Sequence, residues 1–318
     1  MKKFLLCMFF IMLGLVNISC SPQLSFRDNG FFYYPSKQIF PAPHTTANIQ
    51  WLTLYSTSGN KLAAQYWQQP EGLAKGLVVH FHGNAGNLSD TREKVDWLVD
   101  EGWELLLFDY SGYGLSEGRP SPLALREDGI TALRKATELV KVQRRSHPEY
   151  QYVAIGTSMG GAVLTDTLAH TQGKTLTPQL LVIDSSFASY LEISRHVVTQ
   201  TRLGRAFQWL ISSFISDKTA PIHAIAHLDQ VPKLYVHCQE DQLIPEHMSR
   251  ALYQRAGGAK NYWSLPDCGH ARSFTRDFPH YQQALKQVIQ APSIVGTELA
   301  SSPLLLNGPL ALNQLSSQ

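Results

Sequence analysis

Charge imbalance is missing from this chain. Its 27 Lys and Arg stand against 25 Asp and Glu, a formal net charge of +2 over 318 residues. That gives no whole-chain argument for nucleic acid as a partner. No internal repeat is visible, which argues against a solenoid or propeller. No P-loop is present. Gly112-Tyr113-Gly114 is not a dinucleotide loop, because Glu117 stands where the third glycine belongs. Metal-ligand spacing is thin as well. His80 and His82 alternate along one strand without a third ligand. His223 and His227 share the spacing of a zinc helix but lack the Glu that follows its first His. The reading therefore carries no metal and no cofactor. The N-terminal apolar run, Phe4 to Val16, falls short of the roughly 20 residues a transmembrane helix needs. What the chain does have is apolar mass. At 44% hydrophobic residues it can bury one large core.

The first residues have the layout of a secretory signal. Lys2-Lys3 precedes the apolar run, and Asn17-Ile18-Ser19-Cys20 follows it. The end resembles a bacterial lipoprotein signal, in which a cysteine after small residues becomes the lipidated N-terminus. Ser19-Cys20 fits that pattern, while Asn17 departs from it where an apolar residue is usual. The expectation is a signal peptide over residues 1–19 and a mature chain beginning at lipidated Cys20. The membrane would then be a partner through that N-terminal lipid. The protein would sit in the cell envelope, at the outer membrane or the periplasmic face. Plain secretion and an uncleaved anchor are the alternatives. Residues 20–48 carry Pro22, Pro35, Pro41 and Pro43 and read as an extended linker arm. Phe31-Phe32-Tyr33-Tyr34 gives that arm an apolar stretch able to pack on a domain, at no specified place.

Between residues 49 and 290 short apolar runs alternate with helical patterns. Trp51–Tyr55 and Leu62–Trp67 flank Ser58-Gly59-Asn60 and predict a hairpin. Leu77–Phe81, Glu104–Phe108, Tyr152–Ile155, Leu180–Ile183, Lys233–His237 and Tyr262–Leu265 predict strands. Leu88–Val99 and Leu123–Val140 predict helices. Such alternation means an α/β fold, a mostly parallel central sheet covered by helices on both faces. The stretch 186–230 is too long for a simple connection. Phe207, Leu210, Ile211 and Phe214 give it helical spacing, so it predicts a small helical cap, with an ordinary crossover helix as the alternative. Residues 291–318, rich in Ser, Pro, Leu and Asn without period, predict a loosely ordered tail.

One stretch carries the chemistry. Gly156-Thr157-Ser158-Met159-Gly160 lies between a strand and a helix, the setting of a nucleophile elbow. A serine at such an apex needs neighbours without a Cβ on both sides. The helix that follows places free N–H groups where negative charge would develop. A nucleophilic serine also needs a base and a group to orient the base. Asp241 follows one predicted strand and His270 the next, in Asp267-Cys268-Gly269-His270. The order Ser158, Asp241, His270 is that of α/β-hydrolases. His82-Gly83-Asn84-Ala85-Gly86 resembles their oxyanion loop, and Asp109-Tyr110-Ser111-Gly112-Tyr113-Gly114-Leu115-Ser116 resembles the turn after their fourth strand.

Over about residues 50–290 the chain resembles the α/β-hydrolase superfamily. The likeness is greatest to the bud-emergence-type serine hydrolases, related to depalmitoylases and monoglyceride lipases. The resemblance implies the α/β-hydrolase fold and cleavage of a carboxylic ester or thioester. The substrate partner would be a small-molecule or lipid-derived ester. It implies Ser158 as nucleophile, His270 as base, Asp241 as orienting acid, and the backbone N–H groups of Met159 and Asn84 as the oxyanion hole. Asp184, one strand earlier, is the rival acid. Three other readings stay open: a non-catalytic surface binding protein that keeps the fold, a serine peptidase, and another chemistry such as a haloperoxidase. Cys238 and Cys268 both follow strands that should be neighbours at the catalytic end. Two buried thiols are the expectation, and a bridge the alternative if the compartment is oxidising. Oligomeric state is not legible.

Overall fold

The computed structural model describes residues 32–209 and 215–306. Ten strands are present among them: β1 (Tyr34–Pro35), β2 (Asn48–Tyr55), β3 (Lys61–Gln68), β4 (Gly76–Phe81), β5 (Ala85–Gly86), β6 (Trp103–Phe108), β7 (Gln151–Thr157), β8 (Leu180–Asp184), β9 (Lys233–Cys238) and β10 (Lys260–Leu265). Eight of them form one sheet in the order β10-β9-β8-β7-β4-β6-β3-β2. The expected hairpin is there, with β2 antiparallel to β3 and β3 antiparallel to β6. The other pairs in this sheet are parallel.

The strand sequences follow from burial on both faces. Along β4, Leu77, Val79 and Phe81 enter one core cluster, while Val78 enters the other. Tyr152 and Ala154 of β7 alternate with Val153 and Ile155 in the same way. A strand buried on both sides has no polar face, so it reads as an unbroken apolar run. The helix Pro122–Gln143 covers one face. The Ser121 hydroxyl caps it by accepting from the Ala124 N–H, and Pro122 sits where an N–H has no helical partner.

Three expectations need correction. Leu88–Val99 is not one helix. It divides into Leu88–Thr91, a 3₁₀ turn Arg92–Lys94 and Trp97–Asp100. The break comes where Arg92 turns inward to serve backbone carbonyls of the N-terminal arm. That arm is not a free linker from residue 32 onward: β1 pairs in parallel with β5. Finally, the chain after Gln290 is not loose as far as Leu306. Ile294, Val295, Ala300 and Leu306 bury into the second core cluster, and the Trp263 indole N–H donates to the Ala300 carbonyl at 2.8 Å. These apolar residues lack a period because they are spaced along turns rather than one helix.

Between β8 and β9 the described chain carries helices Tyr190–Thr199, Arg202–Phe207 and Pro221–Ala224. Of the apolar stripe expected in the cap, Leu210, Ile211 and Phe214 lie outside the described residues.

Candidate active site

Ser158 is the hinge between β7 and the helix Met159–Thr171. Its φ is 56°, in a region that costs a non-glycine residue roughly 1–3 kcal/mol. The turn is tight enough to forbid side chains around it. A Cβ on Gly160 would stand 1.9 Å from the Phe81 carbonyl oxygen, and one on Gly156 would stand 2.6 Å from the Gly161 Cα. The Ser158 hydroxyl does not cap its own helix. It points to His270 instead.

His270 Nε2 lies 3.0 Å from Ser158 Oγ, and His270 Nδ1 lies 2.7 Å from Asp241 Oδ2. The structure thus brings together the three residues that the sequence places far apart. Asp241 is held from the other side. Its Oδ1 accepts the N–H groups of Leu243 and Ile244, each at 2.9 Å. Burial alone would raise the Asp241 pKa. The hydrogen bond and charge of His270, with the Ile244 and Leu243 N–H groups, outweigh that and hold it below the usual carboxylate range. The carboxylate is 1% exposed and the imidazole 24%, so the hydrogen-bonded chain opens to solvent at the histidine.

Asp184, the rival acid, does not touch His270 but lies beneath its loop. Its Oδ1 accepts from Ser185 Oγ at 3.0 Å and from Ser273 Oγ at 2.8 Å. Ser185 Oγ in turn accepts the Ala271 N–H at 3.2 Å. Ser185 and Ala271 have φ of 51° and 54°, so two strained residues are linked by that bond. Burial raises the Asp184 pKa, against the two serine hydrogen bonds. Nothing in the sequence marked Ser185 or Ser273 for this part.

The loop after β4 runs beside the serine, since a Cβ on Gly83 would lie 3.6 Å from Ser158 Cβ. His82 Nδ1 donates to the Gly83 carbonyl at 2.8 Å. That carbonyl and the Asn84 N–H belong to one planar trans peptide, so holding the oxygen toward His82 turns the N–H away from it. His82 Nε2 faces Asp109 Oδ1 at 3.5 Å, and the same oxygen accepts the Leu88 N–H at 2.6 Å. Burial pushes His82 down to about 4 and Asp109 up to about 7. His80, the other histidine of this strand, bonds the Thr157 hydroxyl at 3.1 Å. His82 and Asp109 were visible in the sequence as parts of motifs, but their pairing was not.

Cys238 and Cys268 form a disulfide, with Cα atoms 5.1 Å apart. This corrects the expectation of two thiols. The reason is register: Cys238 pairs with Leu265 across β9 and β10, and both chains then turn at the same edge. The bridge ties the loop that carries Asp241 to the loop that carries His270. Cys20 lies outside the described residues.

Comparison with known proteins agrees with the fold. The signature of the family described as "Serine aminopeptidase, S33" matches residues 72–219. The chain is 28% identical over 250 residues to the uncharacterised protein YfhR of Escherichia coli (strain K12), covering 77% of this chain and 81% of that one. It is 24% identical over 277 residues to the lysophosphatidylserine lipase ABHD12 of Xenopus tropicalis, covering 81% and 68%. Among solved structures it resembles the esterase Pf2001 of Pyrococcus furiosus, with a TM-score of 0.58 at 18% identity over 81% of this chain and 96% of that one. It also resembles an acetyl xylan esterase from Paenibacillus sp. R4, with a TM-score of 0.58 at 16% identity over 80% and 86%.

Proposed function

We propose that this chain, an α/β-hydrolase, is a serine esterase or lipase-like enzyme that cleaves a neutral carboxylic ester or thioester through an acyl-enzyme. The observation that carries the reading is the hydrogen-bonded chain Ser158–His270–Asp241, with its serine strained at the head of a helix. Ser158 Oγ attacks the carbonyl carbon while His270 Nε2 takes the hydroxyl proton. Asp241 keeps the other imidazole proton on Nδ1 and stabilises the imidazolium. The carbonyl oxygen gathers charge and accepts hydrogen bonds from the N–H groups of Met159 and Asn84. His270 returns the proton to the leaving alcohol or thiol as the C–O or C–S bond breaks. Water then repeats the sequence on the acyl-enzyme and releases the acid.

Ser158→Ala should abolish hydrolysis of p-nitrophenyl butyrate and labelling by a fluorophosphonate probe while the circular dichroism stays that of the wild type. Turnover that survives in this variant rejects the mechanism.

The substrate reading is a short-to-medium acyl chain on a small or lipid-derived leaving group. The likeness to the lysophosphatidylserine lipase ABHD12 supports a lipid-derived ester. No charge cluster in the elbow, acid or histidine loops marks a phosphate or carboxylate clamp. Activity should rise from acetyl to octanoyl esters, by up to about fourfold per methylene if the full transfer energy of about 0.8 kcal/mol is realised. A flat series rejects the reading that an apolar pocket holds the acyl chain. The proposal places the enzyme in the cell envelope, tethered through lipidated Cys20. Cys20→Ser should then release it from the membrane fraction, and wild-type protein recovered as soluble material with a free N-terminus rejects the tether.

A further inference from the structure

The N-terminal arm makes an unusual set of contacts for a linker. Its first described residue, Phe32, accepts at its carbonyl from the Asn84 side-chain amide. The Tyr34 N–H donates to the Asn84 carbonyl at 3.3 Å and the Ser36 N–H to the Gly86 carbonyl at 2.9 Å. The arm therefore lies as a short strand along the loop whose Asn84 N–H is assigned to the oxyanion hole. Tyr113 Oη donates to the same Asn84 carbonyl at 2.8 Å.

Both ends of the arm are pinned. The Phe32 ring packs edge-on against Phe187 and Tyr190, with centroids 5.8 and 5.4 Å away, where the chain leaves β8. Downstream, Asn87 Nδ2 donates to the carbonyls of Ser36 at 3.2 Å and Gln38 at 2.7 Å. The Phe40 N–H donates to Ser89 Oγ at 2.9 Å. Arg92, 7% exposed, gives its guanidinium to the carbonyls of Phe40 and Pro41. Two charge-assisted hydrogen bonds from a largely buried guanidinium hold the arm at that end.

We infer that the arm from Phe32 to Pro41 is a positioning element of the active site, which holds the oxyanion loop in its working geometry from outside. His82 fixes the Gly83–Asn84 peptide from within the fold. The arm fixes the Asn84–Ala85 peptide and the Asn84 side chain. With both peptides flanking Asn84 constrained, its N–H has one direction. A donor displaced by about 1 Å costs on the order of 100-fold in rate. The inference rests on the serine-hydrolase reading, because it concerns the donor that reading assigns to Asn84.

The test uses the full-length chain. A trifluoromethyl ketone reports on the oxyanion hole: Ser158 adds to its carbonyl, the hydroxyl proton passes to His270, and the adduct keeps the negative oxygen. Phe32→Ala and Arg92→Ala should each weaken this inhibitor and lower kcat on p-nitrophenyl butyrate by about 10- to 100-fold. KM should change by less than about twofold, because ground-state binding does not use the oxyanion donors. Asn84→Ala should produce the same signature, and Phe32→Ala combined with Asn84→Ala should lose less than the product of the two single losses, since the Phe32 ring seats the carbonyl that the Asn84 side chain engages. Losses that multiply in the double variant overturn the inference. So does a fall in melting temperature with kcat and inhibitor affinity unchanged, in either arm variant. Arg92→Ala loosens the arm's far end, so it decides the matter if Phe32→Ala does not fold. Wild type and Ser158→Ala are measured alongside. Turnover lost only with Ser158 keeps the hydrolase reading whatever the arm variants do, and its absence from wild type removes both.

Discussion

Replacing Asp241 with Asn should separate orientation from charge more sharply here than at an isolated acid. The carboxylate has two unlike oxygens. Oδ1 accepts from the N–H groups of Leu243 and Ile244 at 2.9 Å, and Oδ2 faces His270 Nδ1 at 2.7 Å. An amide has one acceptor and one donor end. The two backbone N–H groups claim the oxygen, because an NH₂ in its place would confront two donors. The amide nitrogen is then left facing His270 Nδ1 and donates to it. That forces the proton onto Nε2, so the imidazole presents N–H rather than a lone pair to Ser158 Oγ. Size and fold are kept while the base is lost.

The expected cost is about 10⁴ in kcat, or about 5.4 kcal/mol of barrier at 1.36 kcal/mol per tenfold. KM should change little, since the Asp241 side chain is 1% exposed and cannot meet substrate. Steady-state hydrolysis of p-nitrophenyl butyrate measures both, with circular dichroism to establish folding. Asp184→Asn is the control. Asp184 is hydrogen-bonded to the histidine's loop through Ser185 and Ser273 and not to the imidazole, so its loss should shift the loop without reversing the tautomer. The reasoning is refuted if Asp184→Asn costs more than Asp241→Asn, or if Asp241→Asn keeps kcat within about tenfold of the wild type.

Gly160→Ala should yield unfolded or inactive protein, because its Cβ would stand 1.9 Å from the Phe81 carbonyl oxygen; soluble, fully active protein would disprove the clash. Buried histidines should make the fold sensitive to acid between pH 6.5 and 4. The unfolded chain protonates His80 and His82 near 6.5, whereas burial holds them to about 3 and about 4 in the native state, so their contribution is lost as pH falls. His237, also held down by burial, acts in the same sense. Asp109, raised to about 7, and Asp90, Asp96, Asp128, Asp166 and Asp184, raised by burial, act in the opposite sense. His82→Gln should therefore lose less stability than the wild type between pH 7 and 4.5, by up to about 1.4 kcal/mol per pH unit. Urea midpoints at the two pH values measure this, and an equal loss in both proteins refutes it. Reducing the Cys238–Cys268 bridge, which spans a sequence separation of 30, should cost about 3–4 kcal/mol by the chain-entropy relation. Urea midpoints with and without dithiothreitol test it, and coincident curves count against it.

What the sequence made legible was what repeats or what chemistry demands. β4, β6, β7, β8 and β9 are apolar at successive positions because both faces are covered, and such runs stand out between turn residues. The elbow is legible because two positions, Gly156 and Gly160, tolerate no Cβ. The spatial gathering of Ser158, Asp241 and His270 followed from strand order, since each residue ends or follows a strand at one edge of a parallel sheet.

What stayed hidden depends on register and on backbone groups. The disulfide requires Cys238 to stand level with Leu265, a fact about two strands that neither strand's sequence contains. The arm was read as a linker from its prolines and lack of a period, and Phe31-Phe32-Tyr33-Tyr34 showed only an apolar stretch with no specified place to pack. Its attachment is written instead in carbonyls and N–H groups, at Phe32, Tyr34, Ser36, Gln38, Phe40 and Pro41. Every non-proline residue has both groups, so they leave no trace in composition. The partners do leave one. Asn84, Asn87 and Arg92 are polar side chains in a segment whose apolar spacing asks for a plain helix after Leu88, and each of them serves the arm. A buried polar residue that interrupts a periodic pattern needs a hydrogen-bonding partner. When its own element supplies none, the partner must come from a part of the chain that pattern reading leaves unassigned. By that logic Arg92, the residue that breaks the helix, was the signal in this sequence that residues 32–41 were not a tether.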